Sequence, residues 1–99
     1  MIRITRHSPA CVTLEGHANS DVYGRDLICA AVSALTLTLA ANVEGKNGAD
    51  ISLEPGNSRI RCSGDAAAVF DCICRGYELL AERFSEYVCF FEETERQNP

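Results

Sequence analysis

One long uncharged segment most strongly limits what this chain can fold into. Residues 27–43 (LICAAVSALTLTLAANV) carry no charge, yet serine, threonine and asparagine interrupt their apolar residues. A membrane-spanning helix needs about 20 consecutive, predominantly apolar residues, so this segment is too short and too polar to be one. We interpret it as a buried helix of a soluble protein, with Asp26 as its N-cap and the glycine-bearing residues 44–48 at its end.

Four short segments of alternating apolar and polar residues predict two β-hairpins. Ser8-Pro9 separates the first two segments, and the strong turn Pro55-Gly56-Asn57 separates the other two. Alternation with a period of two is typical of strands with one buried face. The alternating segments are residues 2–6, 12–15, 51–53 and 60–62.

A second helix and a last strand complete the predicted fold. The helix is expected at residues 66–84, because apolar residues recur there at spacings of three and four. Residues 87–91 are apolar on both faces of a strand, which predicts a central or interface-covered strand. The order ββ-α-ββ-α-β indicates the α+β class, with two helices packed on a mostly antiparallel sheet. The apolar stripe of the second helix consists of Val69, Phe70, Ile73, Tyr77, Leu80 and Phe84.

Length and composition set the class of protein. The 99 residues fit one domain, with an ordered core at residues 1–92 and a flexible tail at residues 93–99. The start of the chain, MIRITRH, lacks the apolar core of a signal peptide, which predicts a cytoplasmic protein. In that reducing compartment the six cysteines are expected to be free thiols. A net charge of −5 argues against nucleic-acid binding and favours a basic partner.

The closely spaced pair Cys72 and Cys74 does not form a metal site. A single residue separates them, so on a helix their side chains point about 200° apart. Both are expected to be core or semi-buried thiols. Neither a metal nor another cofactor is predicted.

A histidine and a cysteine flank the segment before the uncharged helix. Residues 18–25 are rich in turn formers, His17 ends the second strand, and Cys29 lies in the first helical turn if Asp26 is the N-cap. Backbone N–H groups at a helix start lack intrahelical partners, so they favour a thiolate and can donate to an oxyanion. A Cys/His pair is the minimal constellation for thiol acyl transfer, and Asp26 is a candidate to orient the histidine.

The same residues also fit a purely structural interpretation. A cysteine in a helix of alanine, valine and leucine is usually a core residue, and a histidine at a strand end is usually a surface residue. A regular strand would point His17 away from its apolar face, so the chain must bend near Gly16 before His17 meets Cys29. Asp26 cannot cap the helix and orient His17 with the same oxygen, so both roles stay open.

Residues 16–34 resemble the signature of a known family. The string Gly16-His17-Ala18, a five-residue spacer, and then GRDLICAAVSA from residue 24 are similar to the motifs of the ribosomal-processing cysteine protease Prp family. The GHA, GxD and CAAVS parts are all present, and length and element order match over essentially the whole chain. The resemblance implies a bacterial cysteine endopeptidase that removes a short N-terminal extension from large-subunit ribosomal protein number twenty-seven.

The resemblance also assigns roles to residues. It implies Cys29 as the nucleophile, His17 as the general base, and Asp26 and Ser33 as auxiliary residues. It further implies a homodimer.

The loop before the nucleophile is implied to shift when substrate enters. Gly16 and Gly24 bracket this substrate loop.

The alternative to the protease is a non-catalytic protein-binding module or a ribosome-assembly factor.

Overall fold

The computed structural model describes residues 1–16 and 23–93, with residues 23–26 described as backbone. In this part of the chain five strands and two α-helices follow each other in the predicted order, and a 3-10 turn that the sequence did not predict precedes the second helix. The predicted α+β fold, with two helices on a mostly antiparallel sheet, is therefore confirmed. The elements are β1 Ile2–Ser8, β2 Cys11–Glu15, α1 Tyr23–Val43, β3 Asp50–Glu54, β4 Asn57–Arg61, the 3-10 turn Gly64–Ala66, α2 Ala67–Arg83 and β5 Val88–Glu92.

The strands form one sheet in the order β3-β4-β2-β1-β5. Both predicted hairpins, β1–β2 and β3–β4, are present as antiparallel pairs, and β2 pairs with β4 in the same sense. Only β5 runs parallel to its neighbour, β1. Because both helices pack on one face of this sheet, the alternate residues of each strand that point toward them form the core.

The prediction that residues 87–91 form a central strand is wrong, because β5 lies at the edge of the sheet. Val88 points toward the helices and is 1% exposed, whereas Phe91 points to the open face and is 52% exposed. The apolar residues on both faces of β5 are therefore not explained by a position between two neighbouring strands. The other form of the prediction, coverage by a partner at an interface, stays a prediction.

A buried aromatic residue joins the two helices. Tyr77 of α2 is fully buried, and its hydroxyl lies 2.7 Å from the hydroxyl of Thr36 in α1. Burial raises the pKa of Tyr77 to about 12, and the hydrogen bond to Thr36 opposes part of that rise. The predicted stripe of α2 lies against the core, except that Phe84 follows the end of the helix and is exposed.

A buried arginine ties the last strand to the fold. Arg6 points inward from β1, and its Nη2 donates to the carboxylate of Asp71 in α2 at 2.7 Å. Its Nη1 lies 3.8 Å from the carboxylate of Glu92. The backbone N–H of Glu93 donates to the carbonyl of Arg6 at 2.9 Å, so this first residue of the predicted tail is held to β1. The rest of that predicted tail, residues 94–99, lies outside the described residues.

The six cysteines lie in very different surroundings. All of them are free thiols, and Cys72 and Cys74 occupy opposite sides of α2 as their spacing requires. Cys74 is 3% exposed, but Cys72 is exposed, so the expectation of a semi-buried thiol is wrong for Cys72. Over residues 1–16 and 27–93, no three metal-ligating side chains converge as a metal site requires. The described part of the chain also contains no helix that could span a membrane.

Replacing Cys74 tests how strongly the core excludes a charged thiol. Burial raises the pKa of Cys74 from 9.0 to about 11, so the native state disfavours its thiolate. The unfolded chain releases this proton first, and we expect the free energy of unfolding to fall as the pH rises from 9 to 11. Chemical denaturation across this pH range should show a shallower fall for Cys74→Ala. Cys72→Ala should keep the wild-type slope, and an equal slope for all three proteins would contradict this account.

Candidate active site

Helix α1 begins earlier than the sequence predicts. Its first residue is Tyr23, so Asp26 is the fourth residue of the helix. The prediction that Asp26 is the N-cap is therefore wrong, since an N-cap precedes the helical residues. Tyr23, Gly24 and Arg25, which their turn-forming composition places in the loop, instead extend the helix by most of a turn.

This earlier start also changes the surroundings of Cys29. Cys29 is the seventh residue of α1 and lies in its second turn. In an α-helix the N–H group at that position is bonded to the carbonyl four residues earlier, so it is not free to bind an oxyanion. The influence of the helix dipole is concentrated in the first turn. The expectation that Cys29 shares a position with a helix-start oxyanion hole is therefore wrong.

Cys29 instead lies on the wall of an open cleft. The cleft has a volume of about 240 Å³ and runs between α1 and the end of the sheet that carries β3 and β4. The sheet contributes its floor, and the β3–β4 turn closes one end. Of the six cysteines, Cys29 alone lines it. The described lining residues are Ile2, Leu14, Gly16, Cys29, Val32, Ser33, Thr36, Leu37, Leu53, Gly56, Asn57 and Ser58.

Residues of α1 reach the cleft because of helical spacing. Ser33 follows Cys29 by four residues, so the two side chains lie on the same face of the helix. Thr36 and Leu37 continue this wall by one further turn. The hydroxyl of Thr36 donates to the carbonyl of Val32 at 2.8 Å, so this buried hydroxyl has a hydrogen-bond partner. The expected proximity of Ser33 to Cys29 is thus present.

Gly16 provides the bend that the strand pattern required. It follows β2 with a φ of +96°, a backbone conformation that favours glycine. Its N–H donates to the carbonyl of Gly56 at 3.0 Å, which joins the end of β2 to the β3–β4 turn. A Cβ atom at this position would overlap the carbonyl oxygen of Met1. The chain therefore leaves the sheet beside the cleft in a direction that only glycine readily permits.

The structure brings some of the predicted residues together and leaves others undescribed. Cys29, Ser33 and Gly16 line the same cleft. His17 lies outside the described residues, and Gly24 and Asp26 are described only as backbone of α1. Their predicted roles stay predictions.

The β3–β4 hairpin contributes a part of the site that the sequence does not predict. Leu53, Gly56, Asn57 and Ser58 all line the cleft with Cys29. Strand alternation could have shown that Leu53 points toward the helices. The pairing of β4 with β2, which carries this hairpin to the cleft, joins segments more than 40 residues apart and leaves no local signal.

Two glycine variants separate two effects of adding a Cβ at Gly16. One is the overlap with the Met1 carbonyl, and the other is the free-energy cost of a positive φ. Gly45 also has a positive φ, +84°, but has open space where a Cβ would lie. Gly45→Ala should lose about 1–2 kcal/mol of unfolding free energy from backbone strain alone. Gly16→Ala should lose clearly more, because the new Cβ also displaces the Met1 carbonyl. Urea denaturation of both variants measures the difference, and equal losses would contradict the close contact.

Comparison with known proteins adds to this geometry. A family model described as cysteine protease Prp matches residues 1–89. The solved structure of SMU.848 from Streptococcus mutans is 26% identical, with a TM-score of 0.76 over 95% of this chain and 93% of that chain. Comparison with curated proteins finds no match.

Two structures of an S. aureus enzyme share the fold. The essential ribosomal processing protease Prp with a covalently linked product peptide is 21% identical, with a TM-score of 0.79 over 94% of this chain and 100% of that chain. The same protease with a substrate peptide is 20% identical, with a TM-score of 0.74 over 93% and 97% of the two chains. The family match covers nearly all of the folded chain, and the cleft has a cysteine on its wall: the chain belongs to the cysteine protease Prp family and is a cysteine protease.

Proposed function

We propose that this enzyme is an endopeptidase that removes the N-terminal extension of bacterial large-subunit ribosomal protein number twenty-seven. The observation that carries the proposal is the position of Cys29, the one cysteine on the wall of the cleft. The family match over residues 1–89 supports a peptide substrate. The S. aureus relative, described as a ribosomal processing protease, holds a substrate peptide in one structure and a covalently linked product in another.

In the proposed mechanism Cys29 and His17 carry out the chemistry. His17 accepts the thiol proton, and the sulfur of Cys29 attacks the carbonyl carbon of the scissile bond. The tetrahedral intermediate collapses when His17 returns the proton to the leaving amine, which breaks the C–N bond and leaves a thioester. His17 then takes a proton from water, the resulting hydroxide attacks the thioester, and the cysteine is regenerated. No metal or other cofactor takes part in this scheme.

Asp26 and Ser33 have auxiliary roles in the proposal. Because Asp26 is a helical residue and not the N-cap, its proposed role is to orient His17. Ser33 lies one turn beyond Cys29 on the cleft wall, where its hydroxyl can bond to the substrate backbone. The substrate loop between Gly16 and Gly24 is proposed to shift as the peptide enters. The positive φ of Gly16 supports a sharp change of direction at its start.

Charge supports a basic substrate. The chain has a net charge of −5, which raises the encounter rate with a positively charged protein. Ribosomal proteins bind RNA and are generally basic, so the signs are complementary. The proposed place of action is the cytoplasm, where such a substrate is made. An N-terminal extension encoded in the ribosomal protein gene of the same genome would support this substrate, and its absence would point to another.

Substituting the proposed nucleophile and base tests the mechanism. Cys29→Ala and His17→Ala should each lower cleavage of the unprocessed ribosomal protein by at least about a thousandfold, because both steps of thioester chemistry need both groups. Mass spectrometry of the substrate N-terminus measures the cleavage. Cys72→Ala, at an exposed thiol outside the cleft, should keep full activity. Retained cleavage by Cys29→Ala with an unchanged circular dichroism spectrum would refute the assignment.

The enzyme is also proposed to be a homodimer joined through the edge strand β5. Phe91 of β5 is 52% exposed, and Phe84, whose carbonyl accepts the N–H of Val88 at the start of β5, is 41% exposed. Among the described residues no strand pairs with the outer edge of β5, so this edge is able to pair with a second copy of itself. Light scattering after size exclusion should give twice the chain mass for the wild type and a monomer for Phe91→Glu. Leu79→Glu, at an exposed leucine of α2, should remain dimeric, and a dimeric Phe91→Glu would place the interface elsewhere.

A further inference from the structure

The face of the sheet that points away from both helices carries a histidine in contact with two polar side chains. The Nε2 atom of His7 lies 2.8 Å from the hydroxyl of Thr13 in β2. Its Nδ1 atom lies 3.1 Å from the carboxylate of Glu93, which directly follows β5. Thr13 lies between the buried Val12 and Leu14, so its side chain points to this open face. Three groups that exchange protons therefore meet on the open face of the sheet.

A β-bulge in β1 gives His7 this position. The pairing of β1 with β2 shifts by one residue between Arg6 and Ser8, so His7 is the additional residue of β1. A regular ladder would place His7 opposite Cys11, whereas its imidazole in fact reaches Thr13, two residues farther along β2. Bulges redirect side chains in this way, and they are over-represented next to active sites.

The two contacts decide which nitrogen of the imidazole carries the proton. An ionised carboxylate only accepts hydrogen bonds, so Nδ1 of neutral His7 holds the proton and donates to Glu93. The Nε2 atom is then the acceptor, and the hydroxyl of Thr13 donates to it. A hydroxyl bonded to a base that a carboxylate orients is the arrangement that activates a nucleophile for acyl transfer.

An arginine lies beside the hydroxyl of Thr13. Thr13 pairs directly with Arg59 of β4, and the Cβ atoms of such a pair are about 5 Å apart on the same face. Nη2 of Arg59 donates to Asp50 at 3.2 Å, and a guanidinium has five N–H donors in all. A cation at this position stabilises the negative charge that develops on a carbonyl oxygen when the hydroxyl attacks. The side chain of His7 is 36% exposed, so a small solute has access to the group.

We propose that Thr13, His7 and Glu93 form a second acyl-transfer site, separate from the cleft, that hydrolyses small acyl esters. The hydroxyl oxygen of Thr13 attacks the ester carbonyl while Nε2 of His7 accepts its proton. His7 returns this proton to the leaving alkoxide, which breaks the C–O bond and leaves an acyl-threonine. His7 then takes a proton from water, and the hydroxide releases the acyl group as a carboxylic acid and restores the hydroxyl. A small ester fits because a sheet surface contacts only a short part of its substrate.

Hydrolysis of p-nitrophenyl acetate tests this site in the Cys29→Ala protein, which lacks the proposed protease nucleophile. p-Nitrophenolate should be released over many turnovers, and mass mapping of quenched reactions should place the acetyl group on Thr13. Thr5, directly opposite Thr13 in β1, is the internal control, because the ring nitrogens of His7 contact Thr13 and Glu93. It should carry at least about a hundredfold less acetyl.

Substitutions added to Cys29→Ala test the nucleophile and the base. Thr13→Val and His7→Gln should each lower the rate of p-nitrophenolate release by about a hundredfold. Thr13→Ser should retain the activity, because it keeps a hydroxyl at the same place, so a loss in Thr13→Val is not a loss of fold. Circular dichroism and urea denaturation of each protein check the fold directly.

Two further substitutions test the groups that assist the reaction. Glu93→Gln should lower the rate by about tenfold or more, because an amide orients the imidazole less strongly than a carboxylate does. Arg59→Gln should lower it by about tenfold, because a charge beside the developing oxyanion is lost. Arg75→Gln is the matched control, since Arg75 is an exposed arginine of α2 and should leave the rate unchanged.

Three results would overturn the proposal. Hydrolysis that persists in Thr13→Val would show that His7 or another group attacks the ester itself. Release of a single equivalent of p-nitrophenolate would show that the acyl group is not hydrolysed. Acetyl on Cys11 in place of Thr13 would make a thiol the nucleophile, although burial raises the pKa of Cys11 and disfavours its thiolate. Because every protein in the test lacks Cys29, none of these results depends on the proposed protease mechanism.

Discussion

The packing of α1 on the sheet is the constraint on which both the core and the cleft depend. Ile28, Val32, Leu39 and Val43 are buried against the sheet and α2. Cys29, Ser33 and Leu37 each follow a core-facing position by one residue, and they therefore point about 100° to one side of it, along the cleft. Burial of the core-facing residues of α1 thus fixes the rotation of the helix. The same rotation directs Cys29, Ser33 and Leu37 into the cleft. A one-residue change in register would exchange the proposed nucleophile for a core side chain.

The far side of the cleft is held by backbone contacts at the end of the sheet. The N–H of Gly16 donates to Gly56 in the β3–β4 turn, and the positive φ at both glycines lets the two segments meet. Gly16 directly precedes His17, so the same contact fixes where the chain carrying the proposed base leaves the sheet. The hairpin therefore has two functions in this scheme: it forms the floor of the cleft through Leu53, and it anchors the start of the substrate loop.

The sequence predicts the elements well because helices and hairpins have local causes. Alternation and turn residues identify both hairpins, and the spacing of Phe70, Ile73 and Tyr77 identifies α2. The predictions that fail concern interactions between residues far apart in the sequence. The edge position of β5 depends on its pairing with β1, and the exposure of Leu53 depends on where α1 crosses the sheet. The sequence misplaces the start of α1, because Asp26 has the chemistry of a cap whereas the helix already begins at Tyr23.

The position of Cys29 in the second turn of α1 decides which group activates it in the proposed mechanism. A cysteine in the first turn has free N–H groups beside it and the strongest influence of the helix dipole. At the seventh helical residue both contributions are reduced, and the helix alone does not distinguish Cys29 from another helical thiol. What distinguishes it is access to the cleft, which Cys74 on α2 lacks. Activation must then come from a base outside the helix, and this is why the proposed mechanism assigns proton transfer in every step to His17.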